Sequence, residues 1–301
     1  MSAPDPITRF LDLRALWGGG DLASQVQLRQ WTGGNAYQDH NQYVELSPGE
    51  LQSFIFSRDV LIATHGFNVN RADGIQTLSQ WRQLLTLPDS AVFLGLLWPG
   101  DSESFHALSY PAEPAHAVGA GDMAAGFIDQ NFGNATSISF VSHSLGARVI
   151  LQAITTMKRR PVRRAVIMAG AVDDHCLNEE FSAVPPKVKE ISVLASKEDE
   201  VLRWAFPVGD FVAEIVDRSH PWWESALGRF GPAQLPEHYQ PPCQIPKEWK
   251  YGHGDYLRID PPASSPIPPE CGIPPPKPLP QNDAPGWQEA WSAAFVSCRF
   301  Q

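Results

Sequence analysis

The chain has 301 residues, of which 43% are hydrophobic and 19% are charged, and its formal net charge is −10. This composition suits a single globular domain over residues 1–301 with a sizeable core. The acidic balance argues against nucleic acid or an anionic lipid surface as a partner, because both need a clustered basic face. The one dense basic cluster, residues 158–164, is interpreted as the solvated end of a helix.

Residues 1–10 lack the basic and apolar regions of a secretory signal, and no stretch approaches 18 uninterrupted apolar residues. We therefore expect a cytoplasmic protein without stable membrane insertion. The four cysteines have neither the spacing of metal ligands nor the density of a disulfide framework, so free thiols are expected. One bridge among Cys243, Cys271 and Cys298 is the alternative if a leader has been cleaved.

In chain order, residues 25–31 and 51–57 alternate apolar and polar side chains, which predicts an antiparallel pair at one edge of a sheet. Nearly continuous apolar runs follow and predict strands buried on both faces, at 59–66, 91–100, 137–144, 163–171 and 189–196. Helical patterns separate the first four of these runs, at 75–85, 115–132 and 145–157. The alternation predicts a mainly parallel α/β sheet flanked by helices.

The last third of the chain has a different character. Residues 204–249 are rich in aromatic side chains and are interpreted as a cap-like or lid-like insertion. Residues 261–285 are rich in proline and fit neither a helix nor a sheet interior, which favours an extended strap over a peptide ligand for another protein. Residues 286–297 have helical apolar spacing and predict a C-terminal helix that docks on the body.

Ser144 lies where the predicted strand 137–144 gives way to a helix, within the sequence S-H-S-L-G. This resembles the G-x-S-x-G elbow, in which a strained turn exposes a nucleophilic serine and small neighbours let strand and helix pass. Ser142 and Gly146 supply the small positions. The alternative is a serine that only caps the helix. His143 is interpreted as a bystander or a pocket wall.

An acyl-transfer nucleophile needs hydrogen-bond donors for the oxyanion. The backbone N–H of Leu145 is one candidate, and the N–H of Phe67, in the loop "THGFNVN" after the first apolar run, is the second. His65 in that loop is expected to hold the loop by hydrogen bonds and to border a substrate pocket. Trp98 and Trp204 are further candidates for that pocket, or are core residues.

The general base should be a histidine late in the chain, because this kind of site orders its triad as serine, acid, histidine. His253 stands between two glycines in "WKYGHGDYL", which leaves its ring free to reach Ser144. Asp199, after the last predicted strand, is the preferred acid, and it also caps the segment that follows. Asp173, with Asp174, is the alternative acid.

Asp173, Asp174, His175 and Cys176 are consecutive and could suggest a metal site. Four consecutive residues do not readily surround one ion, so no metal is expected there. No other cofactor is expected.

Several motifs together resemble the α/β-hydrolase superfamily, and in particular its bacterial DUF900 branch. They are "HGFNVNRADG", "LLWPG", "VSHSLGARVI", "AGAVDD", "LASKEDEVL" and "GHGDYL". The resemblance runs from about residue 60 to 257, with Ser142 where the superfamily usually has glycine. It implies Ser144 as nucleophile, Asp199 as acid and His253 as base, with Phe67 and Leu145 as oxyanion donors.

The function expected on these grounds is hydrolysis of small carboxylic esters with an apolar acyl or aryl group, by a lipase-like or esterase-like serine hydrolase. A thioesterase or acyltransferase would use the same three residues. A non-catalytic scaffold that binds through the proline-rich tail is the alternative from another class.

Overall fold

The architecture was obtained from a computed structural model, which describes residues 8–15, 21–31, 43–84, 87–100, 113–203, 225–239, 243–245, 247 and 251–257. The strands in these residues are β1 Thr8–Arg14, β2 Leu22–Trp31, β3 Tyr43–Glu45, β4 Asp59–Thr64, β5 Ala91–Leu97, β6 Ser137–His143, β7 Val162–Met168, β8 Val188–Ala195 and β9 Cys243–Gln244. The α-helices are α1 Pro48–Ile55, α2 Arg71–Leu84, α3 Glu113–Asn131, α4 Gly146–Thr156 and α5 Leu227–Phe230.

All of these strands belong to one sheet with the order β3-β2-β1-β5-β4-β6-β7-β8-β9. The seven strands β1-β5-β4-β6-β7-β8-β9 are all parallel to one another. Strand β2 runs antiparallel to both of its neighbours, β1 and β3. The chain leaves β4 for β5 on one side and then returns to β6 on the other. The carboxyl ends of β4 and β6 therefore flank a topological switch point, where open α/β sheets bind ligands.

The central strands are covered on both faces. Every residue of β4 and β5 is buried, as is every residue of β6 except its first. Helices α3 and α4 pack against each other, and the apolar face of α4 buries Val149, Ile150 and Ile154. Burial on both faces explains why these strands are continuous apolar runs in the sequence. The predicted mainly parallel α/β architecture is confirmed.

The predicted antiparallel edge pair is half wrong. Residues 25–31 lie in β2, but residues 51–55 belong to helix α1, and the antiparallel partner of β2 is β1. Helix α1 begins with a capping box in which Ser47 Oγ accepts from Glu50 N and Glu50 Oε2 accepts from Ser47 N. Leu51 and Ile55, one turn apart, are its buried side chains. The prediction was wrong because these few residues fit both an alternating strand pattern and the four-residue spacing of a helix.

Several predictions fall outside the described residues. These are most of the aromatic-rich insertion 204–249, the strap 261–285, the helix 286–297, and the pocket candidate Trp204. Within the part of the chain that the structure describes, no helix combines the length and apolar character needed to span a bilayer.

Candidate active site

Ser144 occupies a strained turn between β6, which ends at His143, and α4, which begins at Gly146. Its φ of +55° lies in the left-handed region that residues with a Cβ rarely adopt. Three backbone hydrogen bonds hold it there. Ser144 N donates to Met168 O at 3.0 Å, and Ser144 O accepts from Ala147 N at 3.0 Å and from Ala171 N at 3.2 Å. The turn is thus fixed from β7 as well as from its own helix.

The backbone passes so close to this turn that two positions require glycine. A Cβ on Gly146 would lie 2.4 Å from His65 O, and one on Gly66 would lie 2.7 Å from Ser144 Cβ. Ser142, the other small position, is fully buried within β6. We call residues 142–146 the elbow and residues 65–70 the β4 loop. The two glycines let the β4 loop lie directly against the elbow.

His253 connects Ser144 to Asp199. Its Nε2 lies 2.8 Å from Ser144 Oγ, and its Nδ1 lies 2.8 Å from Asp199 Oδ2. A carboxylate only accepts, so this arrangement requires a proton on Nδ1 and leaves Nε2 to accept the hydroxyl proton of Ser144. The structure brings together the three residues that the sequence analysis selected for this site.

Asp199 has no exposed surface, and both of its carboxylate oxygens have partners. Oδ2 faces His253, whereas Oδ1 accepts from Leu202 N at 2.9 Å and so caps the helical residues 200–203 that follow. The alternative acid, Asp173, points elsewhere, since its Oδ1 accepts from His175 N at 2.5 Å. The geometry therefore selects Asp199 as the partner of His253.

The turn that carries His253, residues 251–257, is held by residues that the sequence analysis did not single out for this purpose. Ser196 Oγ donates to Tyr251 O at 2.7 Å, and Gly252 N donates to Asp255 Oδ2 at 2.6 Å. A third contact joins His143 Nε2 to His253 O at 2.7 Å. The Ser196 and His143 contacts join residues 55 and 110 positions apart, so no local motif could have revealed them.

His65 and Trp98 form a buried layer beneath the β4 loop. Trp98 Nε1 donates to His65 O at 2.9 Å, His65 Nδ1 lies 2.9 Å from Gly66 O, and the two rings stack 5.8 Å apart. Burial lowers the pKa of His65 to about 3. Both residues have 1% or less of their surface exposed. They support the loop, and the expected position in an open substrate pocket does not match this burial.

The remaining predicted residues lie around Ser144. Leu145 is buried and immediately precedes α4, where backbone N–H groups have no partner within the helix. Phe67 is half-buried on the β4 loop against the core. His143 is 8% exposed, and its ring centroid lies 4.8 Å from that of His253. His143 thus contacts the turn that carries His253, which makes it neither a bystander nor simply a wall of a pocket.

Asp173, Asp174 and His175 converge more closely than the sequence argument allowed. Their ligand atoms all lie within 4.8 Å of one another, with His175 Nδ1 2.8 Å from Asp174 Oδ1. Burial raises the pKa of Asp174, and the neighbouring Asp173 carboxylate raises it further. His175 Nδ1 also lies 3.5 Å from Asp173 Oδ1, so the imidazole stands next to both carboxylates.

The topology, the strained serine between β6 and α4, and the histidine that reaches it from a late turn define an α/β-hydrolase fold. The chain belongs to the family described as alpha/beta hydrolase of unknown function (DUF900), whose model matches residues 50–218. This match covers more than half of the chain and includes Ser144 and Asp199. His253 lies beyond it.

Among curated proteins, no match was found. Among solved structures, the chain is similar to phospholipase PlaB from Legionella pneumophila, with 13% identity, a TM-score of 0.29 and coverage of 46% of this chain. The match spans only 38% of the phospholipase. A structure from work on two prolyl endopeptidases matches with 13% identity and a TM-score of 0.35, covering 91% of this chain and 42% of that one. Likenesses this distant carry no argument about activity.

Proposed function

We propose that the protein is a serine hydrolase of carboxylic esters in which Ser144 is the nucleophile, His253 the general base and Asp199 the orienting acid. One observation carries the proposal: an unbroken hydrogen-bonded chain runs from Ser144 Oγ through both ring nitrogens of His253 to Asp199. A structural serine would not need a strained backbone and an imidazole acceptor on its hydroxyl together.

The reaction follows from this chain of contacts. His253 Nε2 takes the Ser144 proton as Oγ attacks the ester carbonyl, and the resulting imidazolium returns that proton to the leaving alcohol. Water then attacks the acyl-enzyme with His253 again as base, which releases the carboxylic acid and restores the serine hydroxyl. Asp199 stabilises the imidazolium and keeps the proton of the resting ring on Nδ1.

The backbone N–H groups of Leu145 and Phe67 are the proposed oxyanion donors. Leu145 stands at the positive end of the α4 dipole, which favours a developing negative charge. The close packing of Gly66 against Ser144 supports the second donor, because it brings the β4 loop beside the nucleophile. Loss of one such donor typically lowers turnover by about 10²–10³-fold.

A small ester with an apolar acyl or aryl group remains the proposed substrate, and the mechanism uses no cofactor. Phe67 is the described aromatic side chain of the β4 loop that stays partly exposed. Because His65 and Trp98 are buried, Phe67 is the better candidate for contact with the apolar group of the substrate. A nucleic-acid partner is not proposed, given the net charge of −10.

Turnover of p-nitrophenyl esters over a series of acyl lengths tests the proposal. Wild-type protein is expected to release p-nitrophenol, with a preference for particular lengths. Ser144→Ala should abolish turnover and leave the melting temperature nearly unchanged, because alanine removes only the hydroxyl. Activity retained by Ser144→Ala would contradict the assignment. If Ser144 is acylated but the acyl group is not then released to water, the result would favour an acyltransferase.

A further inference from the structure

His143 joins the two halves of the proposed site. It is the last residue of β6 and directly precedes Ser144 in the chain. Its side chain crosses to the His253 turn, where Nε2 lies 2.7 Å from the backbone carbonyl oxygen of His253. One residue thus connects the backbone that carries the nucleophile to the backbone that carries the base, 110 positions away.

The chemistry of this contact fixes the proton on His143. A backbone carbonyl only accepts, so His143 must donate from Nε2–H. Burial lowers the pKa of His143 to about 3, and the neighbouring His253 contributes in the same direction. The ring is therefore neutral at physiological pH. The ionisable groups that face it are His253, Asp199, His65 and Tyr256.

The other contacts of the His253 turn do not replace this one. Ser196 holds Tyr251 from the β8 side, and Asp255 closes the turn on Gly252 from within. Within the described residues, the contact from His143 is the one that fixes the peptide of His253 itself to the elbow. It starts from the residue directly before Ser144, so it joins the backbone next to the nucleophile to the backbone of the base.

We propose that His143 is a positioning residue that donates its Nε2–H to the backbone carbonyl of His253 and thereby holds the imidazole at hydrogen-bonding distance from Ser144. The kinetic part of this inference rests on the proposed function, and the geometric part does not. A displacement of about 1 Å at such a site costs on the order of 10²-fold in rate. The hydrogen bond from His143 reaches the backbone of His253 and not its ring, so His143 acts through another residue.

A matched pair of variants isolates the donor. In His143→Gln, the amide Nε2–H lies at nearly the reach of the imidazole Nε2–H, whereas His143→Met has similar length and no donor. We expect His143→Met to lower kcat on a p-nitrophenyl ester by about 10–100-fold with little change in KM, and to slow fluorophosphonate labelling of Ser144 by a similar factor. His143→Gln should recover most of both rates.

Nitrogen-15 NMR of histidine-labelled protein supplies a readout that does not depend on activity. In wild-type protein we expect His143 to be a neutral Nε2–H tautomer down to pH 5 and His253 to be a fixed Nδ1–H tautomer. In His143→Met, His253 should become a mixture of tautomers, and in His143→Gln it should stay fixed. If wild-type protein turns over no ester, the proposed function fails, and this measurement still decides the positioning role.

Equal losses in His143→Met and His143→Gln, or an unchanged rate and tautomer in His143→Met, would overturn the inference, because packing alone would then explain the residue. Thermal denaturation checks that both variants fold. If His143→Met does not fold, His143→Asn replaces it, since its amide is one bond too short to reach the carbonyl, and it is expected to show the same losses.

Discussion

At the scale of single residues, the strain at Ser144 is the most informative feature. A left-handed backbone costs a residue with a Cβ about 1–2 kcal/mol. Near the site, Ser144 and Ala169 have positive φ and bear this cost, whereas Asn68, also at positive φ, is a residue type that tolerates it. The hydrogen bonds to Met168 and Ala171 keep Ser144 in this conformation. Strain that the surrounding structure enforces is typical of functional sites.

Replacement of Asp199 by asparagine tests the acid. The amide oxygen can still cap Leu202, so stability should change little, but the amide N–H₂ cannot accept the Nδ1 proton of His253. The ring is then driven to the wrong tautomer, and kcat should fall by about 10³–10⁴-fold. The control is Asp173→Asn, which should retain most activity. Steady-state kinetics of both variants measures the two kcat values. A larger loss of kcat in Asp173→Asn than in Asp199→Asn would assign the acid to Asp173.

At the scale of elements, the close passage of α4 over the end of β4 positions the elbow. Gly146 has room for no Cβ, because the carbonyl oxygen of His65 would lie 2.4 Å away. Gly126, exposed in the middle of α3, has no heavy atom within 4 Å of its ideal Cβ position apart from its chain neighbours and the nearby backbone of its own helix. A methyl group at position 146 would therefore clash with backbone, whereas one at position 126 would not.

Gly146→Ala should destabilise the protein by about 1–3 kcal/mol and reduce ester turnover, because backbone must move to admit the methyl group. Gly126→Ala should stabilise it by about 0.5–1 kcal/mol, since alanine is the better helix former. Urea denaturation of both variants provides the measurement. A Gly146→Ala protein as stable and active as wild type would contradict the close-packing account of the elbow.

The first two strands support the site through a buried charge cluster. Asp12 on β1 is fully buried and accepts from Arg29 Nη1 at 2.7 Å, with Arg71 Nε 3.3 Å away. Arg14, two residues further along, donates from Nη1 to Val69 O and to Trp98 O, each at 3.0 Å. The cluster thereby ties β1 to the end of the β4 loop.

Asp12→Asn should lower the free energy of unfolding by about 3–5 kcal/mol, because it leaves buried guanidinium groups without their counter-charge. The exposed pair of Arg203 and Glu200, 3.2 Å apart, provides the control, and Glu200→Gln should cost at most about 1 kcal/mol. Chemical denaturation at constant pH compares the two. Equal losses of unfolding free energy in the two variants would show that the Asp12 cluster stabilises the protein no more than an exposed ion pair does.

At the scale of the whole molecule, the sequence predicted the parallel core because strands buried on both faces leave continuous apolar runs. β1 was missed, since Asp12 and Arg14 look incompatible with a buried strand until Arg29 and Arg71 are placed around them. The elbow was predicted from the S-H-S-L-G sequence between a strand and a helix, and His253 from the chain order of the triad. The role of His143 was not predicted, because its contact with His253 exists only in the folded chain.

The buried histidines also predict how stability depends on pH. Burial lowers the pKa of both His65 and His143 to about 3, whereas an unfolded histidine titrates near 6.5. Below pH 6.5 the unfolded state binds protons that the folded state does not, so stability falls as the pH decreases. The contribution of each histidine grows from about 1 kcal/mol per pH unit at pH 6 to about 1.3 kcal/mol per pH unit near pH 4.5.

Urea denaturation at pH 7.5, 6.0 and 5.0 measures this dependence. The free energy of unfolding should fall steeply between pH 6.0 and pH 5.0. His143→Gln cannot be protonated at this position, so it should lose about half of the part of this pH dependence that comes from His65 and His143. A wild-type stability that does not change between pH 6 and pH 5 would mean that these rings are not buried as neutral imidazoles.

The most direct test of the central claim is covalent labelling with a fluorophosphonate, followed by mass spectrometry of the digested protein. Folded wild-type protein is expected to carry one adduct on Ser144, while Ser144→Ala and urea-unfolded wild-type protein carry none, because the nucleophile depends on His253 and the elbow. A folded protein that gains no adduct, or gains it on a different serine, would contradict the account.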